Sequence, residues 1–198
     1  MQVVLASHNQ GKLREMEVLL AGLDLTLCNL EQLGLPSPDE TGSTFLENAL
    51  LKARAASSSA ACPAIADDSG LVVPALGGAP GVHSARYAGI DASDAANNAL
   101  LIKRLRGVAD RRAYFYCAMA LLMHREDPAP LVATAAWYGR IVDTPRGEGG
   151  FGYDPHFQVD TGHTSAELSA DEKNRRSHRG QATLALIRQL RQRRQNHA

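Results

Sequence analysis

Apolar positions along this chain follow two rhythms, short continuous runs and helical spacings, and the two interleave. Residues 3–6 form a short run that predicts a strand. Leu13, Met16, Leu19 and Leu20 then recur at helical spacing, so a polar loop joins that strand to a helix. A second strand is expected over residues 25–28, and a loop over residues 36–42, where Pro36, Ser37, Pro38 and Gly42 cluster. Thr44 followed by Glu47 is a capping box that opens a helix with Phe45, Ala49, Leu50, Ala53 and Ala56 inward. Residues 91–106 form a further helix with Leu101, Ile102 and Leu105 as apolar positions and Gly107 as its stop. Residues 113–123 and 131–142 are rich in aromatic and β-branched types. Turn residues lie between them, which predicts an antiparallel hairpin with Trp137 and Tyr138 in packing roles. Ser169 with Glu172 caps a short helix, and Ser177 precedes a last one whose inner stripe is Ala182, Leu186 and Leu190. No repeat or linker divides the chain, so the expectation is one α/β domain over residues 1–198.

Three stretches break these rhythms. Ala64, Ile65 and Ala66 run into Asp67, Asp68, Ser69 and Gly70 before Leu71 resumes the apolar run. This predicts a turn between two strand segments, since Asp, Ser and Gly favour turns for local backbone reasons. Adjacent carboxylates are also costly to bury without a partner, and a divalent cation is one such partner. Both readings of the pair stand at this point. Residues 74–89 are rich in Gly, Pro and Ala and read as a long loop, a lid or a disordered segment, with Ser84, Arg86 and Tyr87 as its polar groups. Residues 143–157 form a second such loop, in which Gly149, Gly150 and Gly152 flank the ring faces of Phe151 and Tyr153.

Composition narrows the classes. Hydrophobic residues make up 44% of 198, enough for a core, and 21 basic against 21 acidic residues leave a formal net charge of +0. No global field therefore favours nucleic acid or an anionic membrane, and an anionic ligand must be held by local arrangement. No run approaches the roughly 18 apolar residues of a spanning helix. The start lacks the basic and apolar regions of a signal peptide, so a cytoplasmic protein is expected. Cys28, Cys62 and Cys117 are odd in number and unpaired in spacing, and read as buried or incidental thiols.

The candidate chemistry is that of phosphate. A lysine at a helix entrance, Lys12, joins the unpaired N–H groups of the helix start in a place suited to a phosphate. The phosphate-loop motif itself fails, with Ala6 at its first glycine and Leu13 at its Ser/Thr. Asp67, Asp68 and Glu40 are acids for a metal, Lys173 is a second lysine, and His178 with Arg179 adds directed donors. The aromatic glycine loop adds a stacking face. Together these fit a nucleoside triphosphate.

The blocks Ser7-His8-Asn9-Gln10-Gly11-Lys12, Glu40-Thr41-Gly42, Phe45-Leu46-Glu47-Asn48-Ala49, Ala66-Asp67-Asp68-Ser69-Gly70-Leu71, Pro80 to Tyr87, Gly150-Phe151-Gly152-Tyr153-Asp154-Pro155 and Ser177-His178-Arg179-Gly180 closely resemble the inosine/xanthosine triphosphate pyrophosphatase family, most of all its bacterial dITP/XTP members. The resemblance implies an elongated mixed β-sheet flanked by helices, with two lobes around a central nucleotide-binding cleft. It implies magnesium-dependent hydrolysis of ITP, dITP and XTP to a monophosphate and pyrophosphate by a cytoplasmic homodimer. By position it makes Asp68 the proton acceptor and a magnesium ligand, with Glu40 the second metal carboxylate. Ser7, His8, Asn9, Gln10, Gly11 and Lys12 match the triphosphate loop, with Ser69 and Lys173 also on substrate. Phe151, Gly152, Tyr153 and Asp154, with His178 and Arg179, match the base pocket. His8 stands at a position of the opening loop that differs among members, which bears on fine substrate preference. The rival readings are a pyrimidine or broad-range nucleotide pyrophosphatase, a γ-phosphoryl transferase, and a nucleotide-binding module without catalysis.

Overall fold

The computed structural model describes residues 2–21, 23, 25–36 and 38–196. Ser37 of the expected loop lies outside the described residues. Six strands form one mixed sheet: β1 Gln2–Leu5, β2 Thr26–Asn29, β3 Ala64–Val72, β4 Arg112–Leu122, β5 Leu131–Ile141 and β6 Phe157–Gln158. Their order is β2-β1-β3-β4-β5-β6. β1 runs parallel to β2 and β3, whereas β6 pairs antiparallel with β5. The helices are α1 Gln10–Leu20, α2 Phe45–Ala60, α3 Asp94–Arg104, α4 Ala170–Arg176 and α5 His178–Asn196. Among the described residues, no helix is long and apolar enough to cross a membrane.

The chain divides into two compact units. The first comprises residues 1–68, 117–135 and 179–198, and the second residues 69–116 and 136–178. In the first unit, Val3, Leu5 and Ile65 pack with Leu13, Met16 and Leu20 of α1, Cys117, Met119 and Leu121 of β4, and Ala182, Leu186 and Leu190 of α5. Each large side chain there removes apolar area worth about 1.5–3 kcal/mol from water. α1 lies against the sheet because its apolar positions share one face, and α5 for the same reason. In the second unit the core is Leu71, Leu101, Leu105, Phe115, Trp137, Ile141, Tyr153 and Phe157. Phe157 is its hub, with Phe115 edge-on at 4.6 Å and Trp137 edge-on at 5.5 Å.

Several expectations change. Residues 64–72 are one continuous strand, so the acidic tetrad is not a turn. Asp67 and Asp68 are buried at its middle, which is possible only because cations come to them from distant segments. Residues 74–89 are neither a disordered stretch nor an open lid. They fold into short 3-10 helices at Pro74–Leu76 and Gly81–Arg86, and an isolated bridge joins Val72 to Pro80. Ser84 pins this segment, because its Oγ accepts from the Leu71 N–H at 2.9 Å and donates to the Gly81 carbonyl at 2.6 Å. A Cβ on Gly70 would lie 2.3 Å from that Oγ, so glycine is required there for close approach. Trp137 is buried, but Tyr138 faces solvent at 71% exposure, tilted against Tyr114. The inner face of α2 is only partly apolar: Ala49, Ala53 and Ala56 are buried, and so are Asn48 and Lys52.

The remaining boundaries follow their caps. Thr44 accepts from the Glu47 N–H, and Glu47 returns to the Thr44 backbone, as a capping box requires. Ser93 caps α3 and Ser169 caps α4. β4 and β5 are adjacent, and the Ile141 N–H reaches the Arg111 carbonyl at 2.8 Å, so the pair folds back as a hairpin. The Asp127 carboxylate shapes its connection by accepting from the Met123 and Ala129 N–H groups, both at 2.9 Å.

Candidate active site

Each unit carries its own cluster of the residues singled out by sequence. In the first, Asn9 is the N-cap of α1, its Oδ1 accepting from the Lys12 N–H at 3.0 Å. The Ser7 Oγ accepts from the Asn9 N–H at 3.1 Å. Ser7, His8, Asn9, Gln10, Gly11 and Lys12 therefore form the predicted loop and first turn, with His8 exposed. The start of α1 presents N–H groups and a partial positive charge at this loop.

Alternation along β3 separates the two adjacent acids, since successive strand residues point to opposite faces. Asp67 Oδ2 lies 3.3 Å from Lys12 Nζ and 3.3 Å from Arg179 Nε. The Arg179 Nη1 also pairs with Glu15. Burial alone would raise the Asp67 pKa, but Lys12 and Arg179 outweigh it and hold the carboxyl well below the usual range. These two cations therefore favour the charged form of Asp67. Its partner Arg179 is held fully charged for the reciprocal reason, burial being outweighed by Asp67 and Glu15.

Asp68 faces α2 instead. Its Oδ2 accepts from Asn48 Nδ2 at 3.0 Å, and its Oδ1 lies 3.1 Å from Lys52 Nζ. The same ammonium is 2.6 Å from Glu40 Oε1. Burial raises the Asp68 pKa, and Glu40 adds to it against the opposing pull of Lys52 and Lys12. Lys52 is raised as well: burial would depress it, but Asp68, Asp67 and Glu40 prevail. One strand therefore carries two adjacent carboxylates whose surroundings shift them in opposite directions, Asp67 downward and Asp68 upward.

Among the described residues, no group of three or more His, Cys, Asp or Glu side chains is placed to hold a metal ion. The two carboxylates Asp68 and Glu40 nevertheless share one cation, the Lys52 ammonium. A pair of carboxylates is the donor set magnesium uses when waters and substrate phosphates complete its shell. The residues fit such an ion.

In the second unit, Phe151, Gly152, Tyr153 and Asp154 form a tight loop. Asp154 is buried; its Oδ2 accepts from the Phe151 N–H at 2.9 Å and from Lys173 Nζ at 2.8 Å, and its Oδ1 from Ser165 Oγ at 2.7 Å. Lys173 also stands 5.0 Å over the Phe151 ring. A Cβ on Gly150 would fall 2.1 Å from the Asp154 carboxylate, and its φ of +77° is left-handed, so glycine is required there twice over. Tyr153 donates its hydroxyl to the Ser84 carbonyl at 2.8 Å. His178 is buried and stacks on Phe115 at 4.8 Å. Ser69, the first residue of this unit, is half-buried on β3.

The structure therefore gathers Lys12, Asp67 and Arg179 in one group, and Asp68 with Glu40 in a second. In the other unit it gathers Phe151, Asp154 and Lys173. Sequence reading gave no role to Lys52, Asn48 or Glu15, although Asn48 stands in one of the resembling blocks. The signal for the first two was a lysine and an asparagine on the same helical face as Ala49, Ala53 and Ala56.

With this geometry in hand, comparison with known proteins is informative. The Ham1 family model matches residues 3–189. A dITP/XTP pyrophosphatase of Halorhodospira halophila is 56% identical over 190 residues, covering 94% of this chain and 96% of the relative. One from Burkholderia pseudomallei is 55% identical over 193 residues, covering 96% and 93%. Among solved structures, a HAM1 protein from Coxiella burnetii superposes with a TM-score of 0.91 at 46% identity, covering 97% of this chain and 99% of that one. A nucleoside-triphosphatase / dITP/XTP pyrophosphatase from Mycobacterium abscessus gives 0.75 at 41%, covering 94% and 99%. A family match across nearly the whole length, together with such relatives, means that this chain belongs to the Ham1 family.

Proposed function

We propose that this protein hydrolyses non-standard purine nucleoside triphosphates (ITP, dITP and XTP) to the monophosphate and pyrophosphate, and so cleanses the nucleotide pool. Full-length relatives named dITP/XTP pyrophosphatase support the substrate class. The observation that carries the chemistry is the Lys52 ammonium bridging Glu40 and Asp68. It brings two carboxylates within reach of one cation, beside a phosphate-binding loop in the same unit.

Asp68 and Glu40 would hold magnesium, which when bound supplies Lewis acidity toward phosphate oxygens and acidifies water. The Asp68 carboxylate, fixed by Asn48 and Lys52, accepts the proton of the attacking water. The water's oxygen bonds to the α-phosphorus as the bond from that phosphorus to the bridging oxygen breaks, and pyrophosphate departs with the bonding pair. Lys12 and the N–H groups of the Ser7–Lys12 loop stabilise the charge that grows on the phosphates. Arg179 fixes Asp67, which in turn orients Lys12. In the second unit, Phe151 offers a stacking face, and the 151–154 backbone with His178 reads the base edge. Lys173 holds Asp154 and the Phe151 ring in place. Hypoxanthine and xanthine carry an oxygen at C6 where adenine carries an amino group, so fixed donors discriminate by leaving buried groups unpaired with adenine.

The deciding experiment is a panel of dITP, ITP, XTP, dGTP, ATP and UTP with magnesium, scored for pyrophosphate against orthophosphate. Pyrophosphate from the first three far above the rest is expected, with solvent oxygen-18 in the monophosphate. Equal cleavage of ATP and ITP would remove the base assignment. Orthophosphate as product, or label only in pyrophosphate, would overturn attack at the α-phosphorus. We propose further that the enzyme is a cytoplasmic homodimer, which sedimentation tests as about twice the 21.2 kDa chain mass.

A further inference from the structure

Gly152 has no side chain, so only its backbone can be held, and its φ of +63° lies in the left-handed region. Both its polar groups are taken by one turn of α3. The Gly152 N–H donates to Asp94 Oδ2 at 2.6 Å, and its carbonyl accepts from Asn98 Nδ2 at 2.8 Å. These contacts span 58 and 54 residues of sequence, and Asp94 and Asn98 are four apart, on one helical face.

Neither residue caps the helix, although Asp94 lies in its first turn, where an acid suits the dipole. Ser93 is the cap, accepting from the Ala96 N–H at 3.2 Å. Asp94 is exposed and makes its short contact without the compulsion of burial. Asn98 is buried at 8% exposure, and among the described residues its Oδ1 has no hydrogen-bond partner. An apolar side chain of the same size would avoid that cost, so what the asparagine contributes is its donor end. The adjacent Asn97 grips the neighbouring segment in the same manner. Its Oδ1 accepts from the Ala88 N–H at 2.8 Å and its Nδ2 donates to the Ala85 carbonyl at 3.1 Å. That segment supplies the Ser84 carbonyl to the Tyr153 hydroxyl. Each residue from Phe151 to Tyr153 is thus tied, and among the described residues Gly152 is tied by α3.

We infer that Asp94 and Asn98 form a two-point clamp on Gly152 that sets the base selectivity of the enzyme. They are positioning residues: they act on the base through the shape of the 151–154 loop. The inference rests on the reading of that loop as the base site.

The test measures kcat and KM for dITP, dGTP and dATP in Asn98→Leu, Asp94→Ala, Asp94→Asn and, as a check on the loop itself, Phe151→Ala. Losing one of the two clamp bonds should raise KM for dITP and lower its preference over dGTP by roughly fivefold to tenfold, the size of one hydrogen bond. The kcat at saturating dITP should change less than about twofold on the same reasoning. Asp94→Asn keeps an acceptor and should restore selectivity lost in Asp94→Ala. Asn98→Leu should melt no lower than the parent, since the orphaned acceptor goes with the donor. Amide exchange at Gly152 should quicken in Asn98→Leu and Asp94→Ala. If Phe151→Ala shifts selectivity while these two do not, the clamp is overturned and the loop reading stands. If Phe151→Ala shifts nothing either, the loop reading falls and the clamp with it. An equal drop in kcat for all three nucleotides, without change in preference, would also overturn it. Should Asn98→Leu fail to fold, the Asp94 pair decides alone.

Discussion

The two units of this protein handle charge in opposite ways. The first buries it: Asp67, Asp68, Lys52 and Arg179 are all at or below 8% exposure, with Lys12, Glu15 and Glu40 at the margins. Among the described residues, the second buries the ion pair of Asp154 with Lys173 and sets beside it stacked rings and backbone hydrogen bonds. Charge in a low-dielectric setting is strong but costly, and is used where a reaction creates charge. Rings and fixed backbone groups discriminate shape and edge pattern at little electrostatic cost. On the proposed function this divides the labour: first-unit variants should change turnover alike for every triphosphate, and second-unit variants should change the choice among them.

The largest effect that could break this division is Asp68→Asn. The amide keeps an acceptor for Asn48 and leaves Lys52 paired with Glu40, so folding should survive. Turnover should fall by roughly 10²- to 10⁴-fold, the usual contribution of a positioned base. The fall should be equal for dITP and dGTP, read as pyrophosphate release. A near-parental rate would remove Asp68 from the base role, and a nucleotide-dependent loss would erase the contrast between units.

Next comes Arg179→Met, which removes from Asp67 and Glu15 the guanidinium that they share. Removing one partner of a buried pair costs about 3–5 kcal/mol, to be read from urea unfolding. Arg179→Lys should recover only part, because one ammonium cannot reproduce the Nε contact to Asp67 and the Nη1 contact to Glu15 together. Full recovery by lysine would show that bulk charge rather than guanidinium geometry holds this cluster.

A smaller effect belongs to the second unit. Phe151→Ala removes the ring beneath Lys173 and should lower dITP preference about tenfold, an amount consistent with a lost cation–π and stacking contribution. Its kcat should stay near the parent's. A uniform loss of kcat would place the ring in the chemistry and dissolve the comparison from the other side.

These residues also mark how far the chain could be read unaided. The strand, loop and helix around Lys12 were legible because period and capping are local properties. The capping box at Thr44 and Glu47 was legible for the same reason. The acidic tetrad misled, because Asp-Asp-Ser-Gly has turn chemistry and nothing within ten residues offers a counter-charge. Its partners Lys12, Lys52 and Arg179 lie on three separate helices. The loop at residues 74–89 misled likewise, since its order depends on Ser84 meeting Leu71. Lys52 and Asn48 were given no inward role because charged and amide residues on a helix are ordinarily outside. Strand alternation separates the roles of Asp67 and Asp68, but that is usable only once residues 64–72 are known to be one strand.

The smallest effect tests whether loss of charge in the first unit matters by place or merely by amount. Asp127 belongs to that unit but lies in the β4–β5 connection. Burial would raise its pKa, but the Met123 and Ala129 N–H groups outweigh it, with help from Arg193, and the net shift is downward. A lowered folded pKa means that the carboxylate stabilises the fold above its unfolded pKa of about 4, and that this is lost as pH falls through the folded value. Asp127→Asn can accept only one of the two N–H groups, so it should cost about 1 kcal/mol at pH 7. The gap between parent and variant should stay constant down to about pH 5 and close below about pH 4, followed by thermal melts across that range. Its kcat/KM should match the parent's for every nucleotide. A variant that loses stability without losing turnover separates the two uses of charge in this unit, because Asp68→Asn should do the reverse. If Asp127→Asn also slowed turnover, the first unit would be responding to its stability as a whole, and the assignment of chemistry to Asp68 would need the solvent-oxygen experiment to stand.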